Sequence, residues 1–303
     1  MKGVGLEGGS RPWYAPGREP PIRWQKPPDE APQFVNRLYR SFNRRAARGR
    51  IRHADALAFL SALRSESADL IFLDPPFNLG KVYGSRPRSA DLRPSGDYQT
   101  WLFSILAQAT RVLAPRGTLY LYHLPQWALR VGYYLDTQLV FQHWIAISMK
   151  NGFPRGPRLY PAHYALLMFS KGHPRVLRRP TIAARRCASC GDFFRSYGGY
   201  RSIIERKGGV NLSDFWDDLS PVRHPVNKHR GSNELSPELL RRVLQISGVG
   251  DGVYVDPFAG GGAGVLAAAR AGMRFYCCDI QLANCALVAR RLRTLTEERK
   301  EPR

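Results

Sequence analysis

The segment Val253-Tyr-Val-Asp-Pro-Phe-Ala-Gly-Gly-Gly-Ala-Gly264 constrains this chain more than any other. Apolar and aromatic β-formers run into Asp256-Pro257, glycine occupies 260, 261, 262 and 264, and an Ala/Leu-rich stretch follows. That order reads as strand, tight turn and helix, the repeating unit of an α/β sheet. Glycines let the backbone approach a ligand without a Cβ clash, and the first N–H groups of the helix can hold an anionic group. Asp279 lies 15 residues beyond Gly264, at the end of the next predicted strand, Arg274 to Cys278. A carboxylate there can accept protons from both hydroxyls of a ribose, so the pattern points to a nucleoside cofactor. No Gly-Lys-Ser/Thr follows the turn, which excludes a P-loop. A tight βα turn without a ligand is the competing reading.

The rest of the chain keeps the same rhythm. Strands are predicted at Ala68–Leu73, Gly117–His123, His143–Met149 and His163–Ser170, and helices at Asp55–Leu63, Trp101–Leu113, Glu234–Ile246, about Ala263–Ala271, and a last one to about Leu295. Phe34 to Arg52 reads as basic and partly helical. The expected architecture is a doubly wound, Rossmann-like α/β sheet. Residues 172–230 break the rhythm, being basic and loop-rich. The expected organisation is therefore a flexible basic arm (1–33), one half of the sheet (34–171), an insert (172–230) and a second half (231–303). No apolar run reaches the length of a bilayer span, and the first 32 residues lack the apolar core of a signal peptide.

Asp74-Pro-Pro-Phe77 follows the strand Ala68–Leu73, at the carboxyl edge where α/β proteins place their chemistry. Two prolines fix the backbone and remove N–H donors, leaving carbonyls free to face a pocket. Such a site suits an exocyclic base amine, a poor nucleophile because its lone pair is delocalised into the ring. The Asp74 carboxylate and the Pro75 carbonyl can each accept one N–H and offset the positive charge that develops on nitrogen. Phe77 can stack on the base, which must first leave the duplex. A Pro-Pro turn closing a buried strand, with Asp74 as a local cap, is the plainer alternative.

Charge supports a polyanionic partner. The chain carries 46 Lys+Arg against 24 Asp+Glu, a net +22. Residues 1–52 hold +8 and residues 150–230 hold +11, leaving +3 elsewhere. Concentration in two segments fits a nucleic-acid surface, although 38 Arg against 8 Lys also fits a biased base composition. Arg178 and Arg179, in the second segment, are expected to touch phosphates. The five cysteines, Cys187, Cys190, Cys277, Cys278 and Cys285, do not form a secreted disulfide pattern, so an intracellular, cytoplasmic protein is expected. Cys187-x-x-Cys190 is half of a zinc knuckle; four ligands are needed, and reduced thiols in a turn are the alternative.

These residues together resemble the beta class of amino-methylating DNA methyltransferases, found in bacterial and phage restriction-modification systems. In that class the Asp-Pro-Pro-Tyr/Phe segment comes first, target recognition next and the Phe-x-Gly-x-Gly segment last. Here Asp74 precedes Asp256 by 182 residues, and the similarity spans roughly residues 50–295, including Asp55, Trp144, Lys150 and Asn233-Glu-Leu235. The resemblance implies S-adenosyl-L-methionine as cofactor, lined by Asn233, Glu234, Asp256, Phe258, Gly260, Gly262 and Asp279. It implies a target pocket of Asp74, Pro75, Pro76 and Phe77, double-stranded DNA as substrate, and a cognate restriction endonuclease as possible partner, with the enzyme a monomer or homodimer. The leading Asp favours adenine N6 over cytosine N4. A DNA-binding protein with an inactive fold, or an RNA or protein methyltransferase, are the rival readings. Ala263-Gly264 stands where the family usually has Thr.

Overall fold

A computed structural model describes residues 36–44, 47–79, 92–149, 159, 162–193, 199–219 and 234–298. The chain opens with an antiparallel pair, β1 (Asn36–Arg44) and β2 (Ala47–Ala54). This corrects the helical reading of the region. Arg48, Arg50 and Arg52 alternate with Gly49 and Ile51, a period of two that turns Ile51 into the core while the Arg stems line the other side.

Then come α1 (Ala56–Ser61), β3 (Ala68–Leu73), α2 (Ser95–Val112), β4 (Leu113–His123), α3 (Pro125–Asp136), β5 (Val140–Ser148) and β6 (His163–Ser170). Asp55 caps α1 by accepting from Leu57 N at 2.8 Å. The next segment holds β7 (Thr181–Ile182), α4 (Tyr200–Lys207), β8 (Val210–Asn211) and β9 (Phe215–Trp216). The chain returns to α5 (Pro237–Ser247), β10 (Val253–Asp256), α6 (Ala263–Arg270), β11 (Arg274–Asp279) and α7 (Leu282–Glu298).

Nine strands form one sheet in the order β1-β2-β11-β10-β3-β4-β6-β5-β9, while β7 and β8 pair separately. From β2 to β4 the neighbours are parallel; β6 runs against β4 and β5. Parallel strands buried on both faces carry continuous apolar runs. In β3, Leu70 and Phe72 face one core and Ile71 and Leu73 the other. Helices α5, α6 and α7 cover the first face, and α1, α2 and α3 the second. The sheet is therefore doubly wound.

The order reverses between β10 and β3. From β10 the chain passes through α6, on one face, to β11; from β3 it passes through α2, on the other, to β4. Loops leaving two adjacent strands in opposite directions open a crevice at the carboxyl edge. Tyr254 pairs with Leu70 and Val255 with Ile71, so the ends of β10 and β3 lie side by side there.

The 172–230 segment departs from the opposite edge. Ser170 pairs with Thr118, near the start of the parallel run of β4. Arg175 N donates to Arg116 O, and Arg178 donates from its backbone to Ile246 O and from its guanidinium to Gly248 O at 2.8 Å. Those carbonyls end α5, just ahead of β10, so Arg178 ties the segment beneath the sheet. Arg178, expected to touch phosphate, here has its guanidinium on Gly248 O at the amino edge of the sheet. The segment then returns: β9 pairs in parallel with Ala146 and Ile147 near the carboxyl end of β5, adding a ninth strand that the sequence reading did not expect. Arg242, 4% exposed, fastens this return by pairing with Asp218 and Glu238 and lying 5.4 Å over the Trp216 ring. Among the described residues, no helix is long and apolar enough to cross a membrane.

Candidate active site

The open crevice between β10 and β3 spans about 380 Å³, including space open to solvent. Asp74, Glu234, Asp256, Phe258, Gly260 and Arg291 are among the residues that line it. It brings together residues 182 positions apart in the chain.

The glycine turn needs its glycines in two different ways. Gly260 and Gly262 have φ of 50° and 81°, a left-handed conformation that side chains disfavour. Gly264 has ordinary backbone but no room, since a Cβ there would lie 2.1 Å from the Tyr254 hydroxyl oxygen. Gly262 forms the N-cap of α6 without a side-chain cap bond. Asp279 braces the turn from β11: its carboxylate accepts from Gly260 N at 2.9 Å and from Gln281 N at 2.8 Å. A carboxylate offers about four lone-pair positions, so it can still accept from further donors.

Asp256 is buried at the end of β10. It accepts from Phe258 N at 3.0 Å and from the Tyr254 hydroxyl at 3.1 Å. Burial nonetheless pushes its pKa up to about 7, with the charges of Asp74 and Asp279 adding to the rise. The crevice thus concentrates negative charge beside a cluster of backbone amides. Glu234 lies close enough to Gly261 that a Cβ there would meet its carboxylate at 3.0 Å. The Arg291 guanidinium donates to Gly261 O from α7. Asn233 and Lys150 lie outside the described residues.

Across the crevice, Asp74-Pro-Pro-Phe77 leaves β3. The Phe77 ring is 8% exposed and packs among aromatic rings from two strand ends. Its centroid lies 4.9 Å from His123, 5.9 Å from Tyr122 and 5.8 Å from Tyr164. Tyr122 and Tyr164 are 5.0 Å apart. Burial, then the neighbouring Tyr164 and Asp74, raise the Tyr122 hydroxyl well above its ordinary pKa, so it stays protonated beside Asp74. The sequence reading missed this aromatic wall. The signal was present in Tyr120-Leu-Tyr122-His123, where Tyr120 and Tyr122 share one face of the strand and Leu121 takes the other.

Cys187 and Cys190 sit in a surface turn closed by Gly191 N donating to Cys187 O at 2.9 Å. The Cys187 thiol is lowered by N–H groups of Cys190 and Ser189. Among the described residues no group of three or more His, Cys, Asp or Glu is arranged to hold a metal ion. Of the histidines that could complete a zinc site with the Cys pair, His163, His173, His224 and His229, the last two lie outside the described residues. Cys277, Cys278 and Cys285 are buried around β11 and α7.

Comparison with known proteins agrees with this geometry. The N6/N4 methyltransferase family model, described as DNA methylase, matches residues 68–290. Type II methyltransferase M.BamHI of Bacillus amyloliquefaciens is 36% identical over 253 residues, covering 83% of this chain. The chain spans 59% of that relative's length. Two solved structures share the fold: the M1.HpyAVI–SAM complex, with a TM-score of 0.54 and 16% identity over 80% of this chain and 98% of the other, and the cytosine-N4-specific PvuII DNA methyltransferase, with a TM-score of 0.54 and 15% identity over 88% and 94%. With its glycine turn and Asp-Pro-Pro-Phe segment meeting at one crevice, the chain belongs to the N6/N4 DNA methylase family.

Proposed function

We propose that this protein transfers the methyl group of S-adenosylmethionine to the exocyclic amino group of a base in double-stranded DNA, adenine N6 in preference, within a specific sequence. One observation carries the reading: Asp74 and Asp256 meet at neighbouring strand ends of the switch point, on either side of one crevice. The crevice suits this cofactor, whose sulfonium and ammonium groups are cationic. Burial chiefly raises Asp256, and a positive ligand offsets the field that Asp74 and Asp279 add to that rise. By the family pattern Asn233, Glu234, Asp256, Phe258, Gly260 and Gly262 would hold it, and Asp279 would accept from the ribose hydroxyls. When bound it supplies an electrophilic methyl group.

The chain's own residues prepare the nucleophile. The Asp74 carboxylate and the Pro75 carbonyl each accept one N–H of the amine, which draws the lone pair out of the ring and offsets the growing positive charge. The base must leave the helix to reach them. The aromatic wall of Phe77, Tyr122 and Tyr164 borders the place it would occupy. Residues 172–230 are assigned to target recognition, because they return to the carboxyl edge through β9. A cognate endonuclease is the partner that the family resemblance implies. Cytosine N4 is the second reading, supported by the shared fold with a cytosine-N4-specific enzyme.

The test is direct. The protein is incubated with isotopically labelled S-adenosylmethionine and genomic DNA from a methylation-deficient bacterium, and the nucleosides are separated by mass. Labelled N6-methyladenine is expected; labelled N4-methylcytosine selects the second reading, and unlabelled DNA refutes both. Asp74→Ala should abolish the label while cofactor binding persists.

A further inference from the structure

We propose that His123 and Tyr98 are positioning residues: together they form a one-way hydrogen-bond relay that holds the Asp74-Pro-Pro-Phe77 turn against the crevice. The inference rests on the function proposed above and adds residues that neither motif contains.

The turn cannot hold itself. Pro75 and Pro76 have no N–H, so hydrogen bonds to their peptide groups must come from outside donors to their carbonyls. Tyr98, on α2, donates from its hydroxyl to Pro76 O at 2.6 Å. The same oxygen lies 2.7 Å from His123 Nε2. At the far side of the ring, Leu124 N donates to His123 Nδ1 at 2.7 Å. Nδ1 is therefore the acceptor, which places the ring proton on Nε2. The direction is fixed throughout: Leu124 N–H to Nδ1, Nε2–H to the Tyr98 oxygen, and Tyr98 O–H to Pro76 O.

His123 and Tyr98 are 0% and 2% exposed, so water does not compete for these bonds. A second ring proton would set a donor against Leu124 N–H. Burial lowers the His123 pKa to about 3, which keeps the ring neutral and the relay intact at ordinary pH. The same ring stacks on Phe77 at 4.9 Å with 29° between planes. His123 thus fixes the turn twice, by its face through Phe77 and by its edge through Tyr98 to Pro76. With its Pro76 carbonyl held by Tyr98, the turn is fixed beside the crevice that Asp74 lines.

Three variants separate positioning from folding. Tyr98→Phe removes one O–H and keeps the ring packed between Trp101 and Trp127. His123→Asn keeps an acceptor near Leu124 N but loses the donor toward Tyr98, whereas His123→Gln keeps the donor. The single-turnover rate of methyl transfer to unmethylated bacterial genomic DNA is expected to fall about 10- to 100-fold in Tyr98→Phe and His123→Asn, the scale of a small misplacement of reacting groups. S-adenosylmethionine and DNA dissociation constants should stay within about twofold, and His123→Gln should recover most of the rate. Side-chain 15N shifts of His123 should show a neutral ring protonated on Nε2 between about pH 5 and 8. An unchanged rate in Tyr98→Phe, a proton on Nδ1, or a rate loss matched by loss of cofactor binding overturns the relay. Wild-type protein that methylates no DNA overturns the proposed function and the relay with it; activity in wild type and Tyr98→Phe alike overturns the relay alone.

Discussion

Asp256→Asn should make the cofactor-free protein more stable at alkaline pH and leave it nearly unchanged in acid. Asp256 is fully buried, and its pKa stands at about 7 against an ordinary 3.8. A group whose folded pKa is raised contributes stability that is complete below the unfolded value and is lost as pH rises through the folded one. The stability lost between pH 4 and pH 8 is at most about 4 kcal/mol, at about 1.4 kcal/mol per pH unit. Asparagine carries no charge, can accept from Phe258 N, and can donate to the Tyr254 oxygen once that hydroxyl turns away. The Tyr254 hydroxyl and Cys277 thiol, which burial holds well above their ordinary values, stay protonated across this range. Urea unfolding at several pH values, without cofactor, measures that difference. It should widen steadily toward pH 8 in favour of the variant. A flat difference would mean that Asp256 is already ionised and hydrated, which would refute the account of a carboxyl that burial keeps protonated up to about pH 7. Saturating S-adenosylmethionine should narrow the gap at pH 8, because a bound cation favours the ionised aspartate.

Three further outcomes follow from the same geometry. Asp279→Ala removes the brace on Gly260 and the proposed ribose acceptor, so calorimetry should show S-adenosylmethionine weakened by about 1.5–3 kcal/mol. Gly264→Ala puts a methyl group onto the Tyr254 hydroxyl and should cost about 1–3 kcal/mol of stability in thermal unfolding, whereas Gly264→Ala combined with Tyr254→Phe should recover part of it. Arg178→Ala should lower stability by about 1 kcal/mol yet leave the salt dependence of DNA affinity unchanged, since its guanidinium serves Gly248 O beneath the sheet. A shallower salt slope in Arg178→Ala would return that residue to the DNA surface.

The buried central strands were legible because they are apolar on both faces: the parallel Ala68–Leu73 and the antiparallel His163–Ser170 begin and end as the sequence predicts. Glycine spacing located the β10–α6 turn for the same local reason. The hairpin of β1 and β2 was not legible, because a strand whose alternate residues are Arg lacks the apolar alternation that marks strands. Pro125–Asp136 was missed as a helix although Pro at its first position is a helix-start signal. Arg178 shows the limit of reading charge along a chain: net charge counts residues, while the edge of the sheet they reach depends on the direction of β6. His123 and Tyr98 are 25 positions apart and make sense only once α2 and β4 bring both to Pro76. No spacing rule encodes that meeting.

The strand order also bears on how the chain is made. β10 and β11 are synthesised after β2 and β3, yet they lie between them in the sheet. Until they arrive, β2 and β3 each present an open row of backbone donors and acceptors to whatever is nearby. Closing the sheet then requires contacts across about two hundred residues, the kind of long-range pairing that folds slowly. For most of its synthesis the chain is therefore a split sheet with two sticky edges, and its demand for chaperone protection should end only when the glycine turn and the strand after it have left the ribosome.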